Sequence, residues 1–103
     1  MNRSDRSFAE RCYAKLRRVP KGKVTTYQQL AHALDCRAYR AVGNAMNKNP
    51  YAPRVPCHRV VRSDGTLGGY AGGPAKKKKL LAKEGVVVIR NRVENLESKL
   101  FRF

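Results

Sequence analysis

Apolar residues recur at helical spacing near the start of the chain. The first helix is predicted to begin after Ser7, which forms a capping box with Glu10, and to end at Pro20, which cannot continue a helix. Its inward face is formed by apolar residues three or four positions apart, namely Phe8, Cys12, Leu16 and Val19.

Two shorter helices are predicted next. The β-favouring pair Val24-Thr25 leads into a second capping box, Thr26 with Gln29, which opens the second helix. A third helix fits residues 38–48 and is closed by Asn49-Pro50. Two short helices joined by a tight turn after a longer one predict a helix-turn-helix.

The pattern becomes extended after the third helix. Pro50, Pro53 and Pro56 stand at intervals of three, which excludes helix and stiffens the path. Residues 57–62 are rich in β-favouring side chains, and residues 63–66 carry a hairpin turn signal. The sequence therefore predicts a small β wing beside the helices.

The last third of the chain returns to helix and then to strand. A fourth helix is predicted from Pro74 to a left-handed cap at Gly85. The apolar run 86–89 predicts a strand that turns back near residues 91–92, and a final helical turn fits Leu96, Leu100 and Phe101. The predicted fold is mainly α with a small β wing, a winged helix-turn-helix domain.

Composition narrows the class of partner. The chain has 103 residues, which fits one domain spanning 1–103 with no N-terminal domain before it. Its 23 Lys and Arg against 7 Asp and Glu give a formal charge of +16, spread along the whole chain, which favours nucleic acid over a membrane surface. Without an apolar run of bilayer length or a signal-peptide core, the protein is expected in the cytoplasm.

The cysteines indicate neither a disulfide framework nor a zinc ribbon. Cys12, Cys36 and Cys57 are an odd number without short paired spacing, so at least one thiol is free or bridges to another chain. A metal site is an alternative, although it requires the second helix to continue past Asp35. Its ligands would be His32, Cys36, Cys57 and His58.

Cys57 is the first candidate for chemistry. It lies in the sequence Pro56-Cys57-His58-Arg59, at the end of the proline-rich segment and beside an imidazole and a guanidinium. Nearby positive charge raises the fraction of a cysteine that is thiolate, which is the nucleophilic form. The alternative is a buried structural cysteine.

Glu84 is the second candidate, because it occupies an unfavourable place for an anion. It lies at the C-terminal end of the fourth predicted helix, where the helix dipole disfavours negative charge by about 0.3 to 1 kcal/mol. Orienting an imidazole would explain that position and would give a relay of Cys, His and Glu. The alternative is an exposed glutamate screened by Lys83.

At this point several blocks together resemble one family, the O6-alkylguanine-DNA alkyltransferases, also called methylated-DNA–protein-cysteine methyltransferases. The blocks follow the family's order and spacing from about residue 8 to residue 90. They are 24–31 (first helix-turn-helix element), 40–46 with Asn49-Pro50 (recognition helix and asparagine hinge), 56–61 (active-site signature), 69–73 (wing and lesion-pocket loop) and 80–85 (closing helix).

The resemblance implies a suicide repair protein that needs no cofactor and no metal. Cys57 would accept the alkyl group, and His58 would act as the water-mediated base that helps to form its thiolate. Glu84 would orient His58, and Asn49 would brace the active-site turn.

The resemblance also implies a binding mode for double-stranded DNA that contains O6-alkylguanine. Tyr27 would donate toward N3 of the flipped guanine, and Arg40 would fill the place that the base leaves. The small residues Ala41 and Gly43 would allow a close approach to the minor groove. The remaining pocket residues would be Val60, Tyr70 and Ala71.

The same resemblance adds expectations about assembly and place. The protein would act as a monomer, without membrane contact, in the cytoplasm at the nucleoid or in the nucleus of a eukaryote. Ala71 stands where many members have a serine that hydrogen-bonds the lesion oxygen.

Two other functions fit parts of the sequence. An alkyltransferase-like protein binds alkylated guanine without repairing it and usually has tryptophan at the acceptor position, where this chain has Cys57. A winged-helix regulator would fit the fold and charge, but it gives no reason for Cys57, His58 and Glu84 to occur together.

Overall fold

In a computed structural model of the chain, residues 7–51, 54–70 and 72–103 are described, so the predictions for Pro53 and Ala71 fall outside the described residues. The elements follow one another in the order α1 Phe8–Leu16, β1 Thr25–Thr26, α2 Tyr27–Ala33, α3 Tyr39–Asn47, a 3-10 turn Cys57–Arg59, β2 Val60–Val61, α4 Pro74–Lys83, β3 Val88–Ile89, β4 Arg92–Val93 and α5 Leu96–Lys99.

Helices α1, α2 and α3 pack against one another, and the predicted caps of the first two are present. Ser7 Oγ accepts a hydrogen bond from the Glu10 amide at 3.1 Å, and Thr26 Oγ1 accepts one from the Gln29 amide at 3.0 Å. Helix α1 ends at Leu16, earlier than predicted. Val19 is nevertheless buried in the larger core cluster, where the turn after α1 places it with its amide donating to the Leu16 carbonyl at 3.0 Å. The apolar spacing that includes Val19 therefore indicates burial, although Val19 is not part of the helix.

The predicted helix-turn-helix is formed by α2 and α3. Helix α2 ends at Ala33, and Asp35 takes the left-handed conformation with φ of 57°. This residue redirects the chain into α3, whose bounds agree with the predicted third helix within a residue at each end. Buried side chains of the three helices form the larger core cluster with residues near Cys57.

A small parallel sheet joins the start of α2 to the segment after Cys57. Thr25 of β1 lies opposite Val60 of β2, and Leu100 bridges Val24 from the other side of β1. Sequence patterns did not predict this pairing, because the strands are two residues long and distant along the chain. The pairing matters for the site, since it holds the N-terminus of α2 beside the strand that follows Cys57.

The extended conformation predicted for residues 57–62 is wrong in its first half. Residues Cys57–Arg59 form a 3-10 turn, and only Val60–Val61 are in a strand. The turn closes where the Arg59 amide donates to the Pro56 carbonyl at 2.9 Å. β-favouring side chains predict extended backbone from propensity alone, and here the hydrogen bonds of the turn override that preference.

The predicted wing is partly confirmed. Asp64 Oδ1 accepts from the amide and hydroxyl of Thr66, at 3.0 and 2.7 Å, so the turn at residues 63–66 is formed. Beyond it the Thr66 carbonyl accepts from the Arg62 amide at 2.9 Å, and Thr66 bridges Arg92 of β4. Among the described residues, β1 is the strand that pairs with β2. The wing hairpin is instead β3 and β4, whose two-residue loop, Arg90 and Asn91, has positive φ at both positions.

Helix α4 closes the fold over the second core cluster, which includes Leu67, Leu81 and Val86. It begins at Pro74 as predicted, and Gly85 follows it with φ of 84°, the left-handed cap that only glycine adopts at little cost. Within the described residues, no helix has the length and apolar character that a membrane crossing requires. The molecule is thus a mostly helical domain with a small sheet, consistent with a winged-helix fold.

Candidate active site

Cys57 lies at the first position of the 3-10 turn and is 5% exposed. Its amide donates to the Val55 carbonyl at 2.9 Å, and its carbonyl accepts from the Val60 amide. Both bonds fix the backbone of Cys57 within its own segment. No hydrogen bond joins Cys57 to His58 within the part of the chain that the structure describes.

Asn49 spans the segment that leads to Cys57. Its Nδ2 donates to the Val55 carbonyl at 2.7 Å, and its Oδ1 accepts from the Tyr51 amide at 2.9 Å. Because Val55 also accepts from the Cys57 amide, the Asn49 side chain connects the end of α3 to the start of the reactive turn. Replacing the amide would leave that carbonyl with one partner fewer.

Glu84 joins the two residues that follow Cys57. His58 Nε2 lies 3.0 Å from Glu84 Oε2, although the two residues are 26 positions apart. Arg59 donates to the same carboxylate in a bidentate pair, with Nε 2.8 Å from Oε1 and Nη2 2.6 Å from Oε2. Arg59 Nη1 also donates to the Val19 carbonyl at 2.8 Å, which anchors the guanidinium to the helical body.

The electrostatics of this group favour a neutral imidazole beside a carboxylate. Burial lowers the pKa of His58, and the hydrogen bond and charge of Glu84 only partly offset it, while the charges of Arg59 and Lys77 lower it further. Burial raises the pKa of Glu84, but the hydrogen bonds and charges of Arg59 and His58 outweigh it, so that pKa is lowered overall. A neutral His58 that donates Nε2–H to an ionised Glu84 keeps Nδ1 as a proton acceptor.

Tyr27, Arg40 and Gly43 line one cavity. The cavity is open, has a volume of about 370 Å³ and is also lined by Tyr39, Asn47, Arg62 and Gly69. The Tyr27 hydroxyl donates to the Gly69 carbonyl at 3.4 Å, and Arg40 is exposed near the N-terminus of α3. The cavity therefore opens between the helix-turn-helix and the loop that precedes α4.

Gly43 on α3 has no packing reason to be small on its exposed side. Ala41 and Gly43 are half-buried, and a Cβ added at Gly43 would meet no atom within 4 Å. The space in front of Gly43 is therefore open, and a larger side chain would fill only solvent. Such a surface suits a partner that must approach the helix backbone closely.

The other predicted pocket residues differ in how they are placed. Val60 is fully buried in β2, so only its backbone can face a ligand. Tyr70 is half-buried and packs against the larger core cluster. Gly72 is needed beside it, because a Cβ there would lie 2.9 Å from the Tyr70 ring. Ala71 lies outside the described residues.

Sequence reasoning missed the roles of Arg59 and Lys77. Arg59 was noted only as a charge beside Cys57, and its bond to Glu84 is too distant in sequence to predict. Lys77 stands in a run of four lysines, residues 76–79, and its position four residues before Leu81 places it on the buried face of α4. That spacing was the available signal.

The alternative metal site is not supported by the helix that it required. Helix α2 ends at Ala33, so His32 and Cys36 do not face each other on one helix. His32 Nε2 lies 3.2 Å from the Tyr39 hydroxyl, away from Cys57 and His58. In residues 7–51, 54–70 and 72–103, no three His, Cys, Asp or Glu side chains form a cluster that could hold a metal ion.

A family model, curated relatives and solved structures that resemble this chain agree with one another. The family model described as "6-O-methylguanine DNA methyltransferase, DNA binding domain" matches residues 7–86, a span that contains Cys57, His58 and Glu84. The methylated-DNA–protein-cysteine methyltransferase of Homo sapiens is 52% identical over 81 residues, covering 77% of this chain and 39% of that protein. The one from Pyrobaculum aerophilum is 45% identical over 92 residues, covering 82% and 62%. The chain thus spans less than two thirds of the length of these curated relatives.

Solved structures agree with this likeness. Mycobacterium tuberculosis OGT in complex with DNA has a TM-score of 0.74 at 39% identity, covering 77% of this chain and 49% of that one. Atl1 of S. pombe, in complex with damaged DNA containing O6-carboxymethylguanine, has a TM-score of 0.79 at 29% identity, covering 100% of both chains. Both neighbours are complexes with DNA.

Proposed function

Since the chain belongs to the 6-O-methylguanine DNA methyltransferase family, we propose that it repairs DNA by moving an alkyl group from O6-alkylguanine to Cys57. The Sγ thiolate attacks the alkyl carbon, the bond from that carbon to O6 breaks, and a thioether forms while the guanine leaves as the repaired base. The observation that carries the proposal is Cys57 at the start of a fixed turn, next to a neutral His58 that Glu84 holds.

His58 is the base of this reaction. With Nε2–H directed to the Glu84 carboxylate, Nδ1 accepts the proton of the Cys57 thiol through a water molecule. Glu84 then stabilises the imidazolium, and Arg59 fixes the carboxylate in place by its bidentate pair.

The lesion reaches Cys57 as a flipped nucleotide. O6 is shielded inside stacked DNA, so the base must be extruded at a cost of a few kcal/mol, and Arg40 offsets part of that cost by filling the gap. Tyr27 donates toward N3 of the guanine, which neutralises the charge that develops on the leaving base. The backbone at Val60 and the loop at Tyr70 and Ala71 line the pocket.

Duplex DNA binds across α3 by its minor groove. The open space in front of Gly43 and the small side chain of Ala41 allow the helix backbone to approach the groove closely. A formal charge of +16 supplies binding that depends on phosphates and not on base sequence, as a search for rare lesions requires. The protein works as a monomer, because one domain carries both the DNA surface and the reactive cysteine.

Each molecule repairs one lesion. The thioether on Cys57 has no leaving chemistry available, and no cofactor takes part in the reaction. The protein acts where the DNA is, in the cytoplasm at the nucleoid or in the nucleus of a eukaryote. The residues proposed here for DNA binding and for catalysis all lie within residues 7–86, the span that the family model matches.

The proposal is tested by intact-mass measurement after mixing the protein with duplex DNA that contains O6-methylguanine. The expected result is a gain of one methyl group per protein, and no further gain when lesion is in excess. Cys57→Ala and a duplex with unmodified guanine are the controls, and neither should show the gain. An unchanged mass, or more than one lesion repaired per protein, would contradict the proposal.

A second candidate function is favoured by one observation. Atl1, which matches this chain over the full length of both, is a structure with damaged DNA. A protein that binds alkylated guanine and leaves it unrepaired would bind the O6-methylguanine duplex tightly with no change in mass. Cys57 stands against this reading, because a nucleophile at that position has no use in a protein that only binds.

A further inference from the structure

Lys77 differs from the other three lysines of its run. Lys76, Lys78 and Lys79 are exposed, whereas Lys77 is completely buried. It lies four residues before Leu81, which is also completely buried, so both side chains face the body of the protein from the same side of α4. Lysine is among the residues least often buried without a partner, so its environment needs an explanation.

The buried ammonium group is fully paired with backbone. Lys77 Nζ donates to the carbonyl of Val60 at 2.6 Å, to that of Gly69 at 3.2 Å, and to that of Leu67. An ammonium group has three N–H donors, and a neutral amine has only two. The three acceptors therefore match the charged form, so this is a site built for a cation.

Burial nevertheless disfavours the charged form of Lys77. Burial lowers the pKa of Lys77 to about 8, with the charge of Arg62 lowering it as well, while a negative Cys57 raises it. A group with that pKa is still mostly protonated at neutral pH. The protein thus holds an interior positive charge that a negative charge at Cys57 would stabilise.

The carbonyls that bind Lys77 belong to segments that carry the reaction. Val60 follows the reactive turn, and its amide donates to the Cys57 carbonyl. Gly69 accepts both from Lys77 and from the Tyr27 hydroxyl, at 3.4 Å. The Lys77 ammonium also lies 6.0 Å from the centre of the Tyr27 ring. One side chain of α4 therefore connects the segment of Cys57 with the residue that faces the flipped base.

We propose that Lys77 is a positioning residue for alkyl transfer: its ammonium group holds the Gly69 carbonyl and Tyr27 against β2, and its positive charge favours the thiolate of Cys57. This proposal rests on the proposed function for its biological meaning. Its electrostatic part concerns the resting protein and can be measured without DNA.

Other ionisable groups lie near Cys57, Lys77 or the His58–Glu84 pair and must stay unchanged in a test. The positively charged groups are Arg59 in the 3-10 turn and Arg62 after β2, and the carboxylate is that of Glu84 after α4. The phenols come from α1, α2 and the loop before α4. These groups are Tyr13, Tyr27, His58, Arg59, Arg62, Tyr70 and Glu84.

The first test is the rate at which iodoacetamide modifies Cys57 as a function of pH, followed by the mass of the peptide that contains Cys57. Lys77→Gln keeps N–H donors without the charge, and Lys77→Met loses both. Both changes should move the midpoint of the profile upward by about one pH unit. Lys78→Met removes the same charge from the exposed side of α4 and should leave the midpoint in place.

A folded Lys77→Gln or Lys77→Met protein with an unchanged midpoint would overturn the proposal. A second measurement uses the wild-type protein, so it does not depend on the variants folding. NMR titration of Lys77 before and after carboxamidomethylation of Cys57 should show a lower Lys77 pKa after the thiolate is removed. An unchanged Lys77 pKa would also overturn the proposal.

Measuring alkyl transfer by the wild-type protein and by Lys77→Gln distinguishes a failure of this inference from a failure of the proposed function. If wild-type protein does not repair O6-methylguanine but the iodoacetamide profile responds to Lys77, the proposed function fails and the link between Lys77 and Cys57 remains. If repair occurs and Lys77→Gln repairs at the wild-type rate with wild-type affinity for DNA, the positioning role is wrong and the proposed function stands.

Discussion

The surroundings of Cys57 and the outer surface of α3 differ in whether their charged side chains are paired or exposed. Beside Cys57 the Glu84 carboxylate is paired: it forms an ion pair with Arg59 and accepts a hydrogen bond from the neutral His58. On the outer surface Arg40 is exposed, and Arg37 before the helix is exposed too. The first region is already complete within the protein, and the second presents charge for a partner.

The difference separates chemistry from binding. A paired, half-buried carboxylate fixes the orientation of an imidazole, which matters for proton transfer and little for attraction of DNA. An exposed guanidinium contributes little to folding and much to the attraction of a polyanion. Changes in the first region should therefore reduce the rate of alkyl transfer, and changes in the second should reduce DNA affinity or base extrusion.

The largest effect should come from breaking the pair of His58 and Glu84. His58→Ala and Glu84→Gln should each slow alkyl transfer by about 10² to 10⁴-fold, because the base is lost or no longer oriented. The double variant should be little worse than the worse single one, since the two residues act as one unit. Single-turnover rates at saturating protein measure this.

Glu94→Gln is the matched control for the pair, because Glu94 is exposed after β4 and loses the same charge. Its rate should stay at the wild-type value. Losses that simply multiply in the double variant would mean that His58 and Glu84 act separately.

Raising the salt concentration should lower DNA affinity at the outer surface of α3 by a comparable factor. It should hardly change the rate of alkyl transfer at Cys57. With about six phosphate contacts, affinity for duplex DNA should fall by about 10³-fold between about 50 and about 200 mM salt. The transfer rate of the bound complex should change little, because the charges near Cys57 are paired inside the protein. Fluorescence anisotropy across salt concentrations tests the first statement, and affinity that ignores salt would refute a phosphate-based interface.

Arg40→Ala should have a smaller and more selective effect. Repair of a paired lesion should fall by about tenfold, because the gap left by the extruded base is no longer filled. Reaction with the free base O6-methylguanine should stay close to wild type, since nothing has to be extruded. Arg37→Ala, the same change at an exposed position just before α3, is the control. Equal losses of Arg40→Ala on both substrates would rule out the extrusion role.

The smallest expected effect is on stability in acid. The pKa of His58 is lowered in the folded protein, so unfolding takes up a proton as the pH falls below about 6.5. The pKa of Glu84 is also lowered, so its contribution is present above the ordinary value of about 4.5 and is lost as the pH falls further. The free energy of unfolding should therefore decrease from pH 7 downward.

Urea unfolding across pH measures this decrease. His58→Gln should flatten the part of the curve near pH 6, while the fall below pH 4.5 remains. A free energy of unfolding that rises as the pH falls from 7 would contradict the neutral state of His58.

Sequence alone predicted the elements whose signals are local. The caps at Ser7 and Thr26, the glycine after α4 and the bounds of α3 follow from neighbouring residues, and the structure confirms them. Local chemistry indicates Cys57 and Glu84 as candidates for a relay through a histidine and leaves structural alternatives open, and the resemblance to a family then assigns the roles of Cys57, His58 and Glu84. The structure adds that His58 and Glu84 are in hydrogen-bond contact.

What sequence could not predict depends on distant contacts. The parallel pairing of β1 with β2 joins two-residue strands more than 30 positions apart, and the 3-10 turn at Cys57 is set by its own hydrogen bonds against β propensity. The pairing of Arg59 with Glu84 and the burial of Lys77 become visible only when α4 is placed over β2. Buried polar contacts of this kind leave no periodic pattern in the sequence.

The central claim is that Cys57 is the acceptor. The other thiols provide the internal comparison, because Cys12 is buried, and that burial together with Cys36 raises its pKa to about 11, which leaves it protonated at neutral pH. Peptide mapping after reaction with a duplex containing O6-methylguanine tests the claim most directly. The account predicts one methyl group, on the peptide with Cys57; a methyl group on Cys12 or Cys36, or on no cysteine, would contradict it.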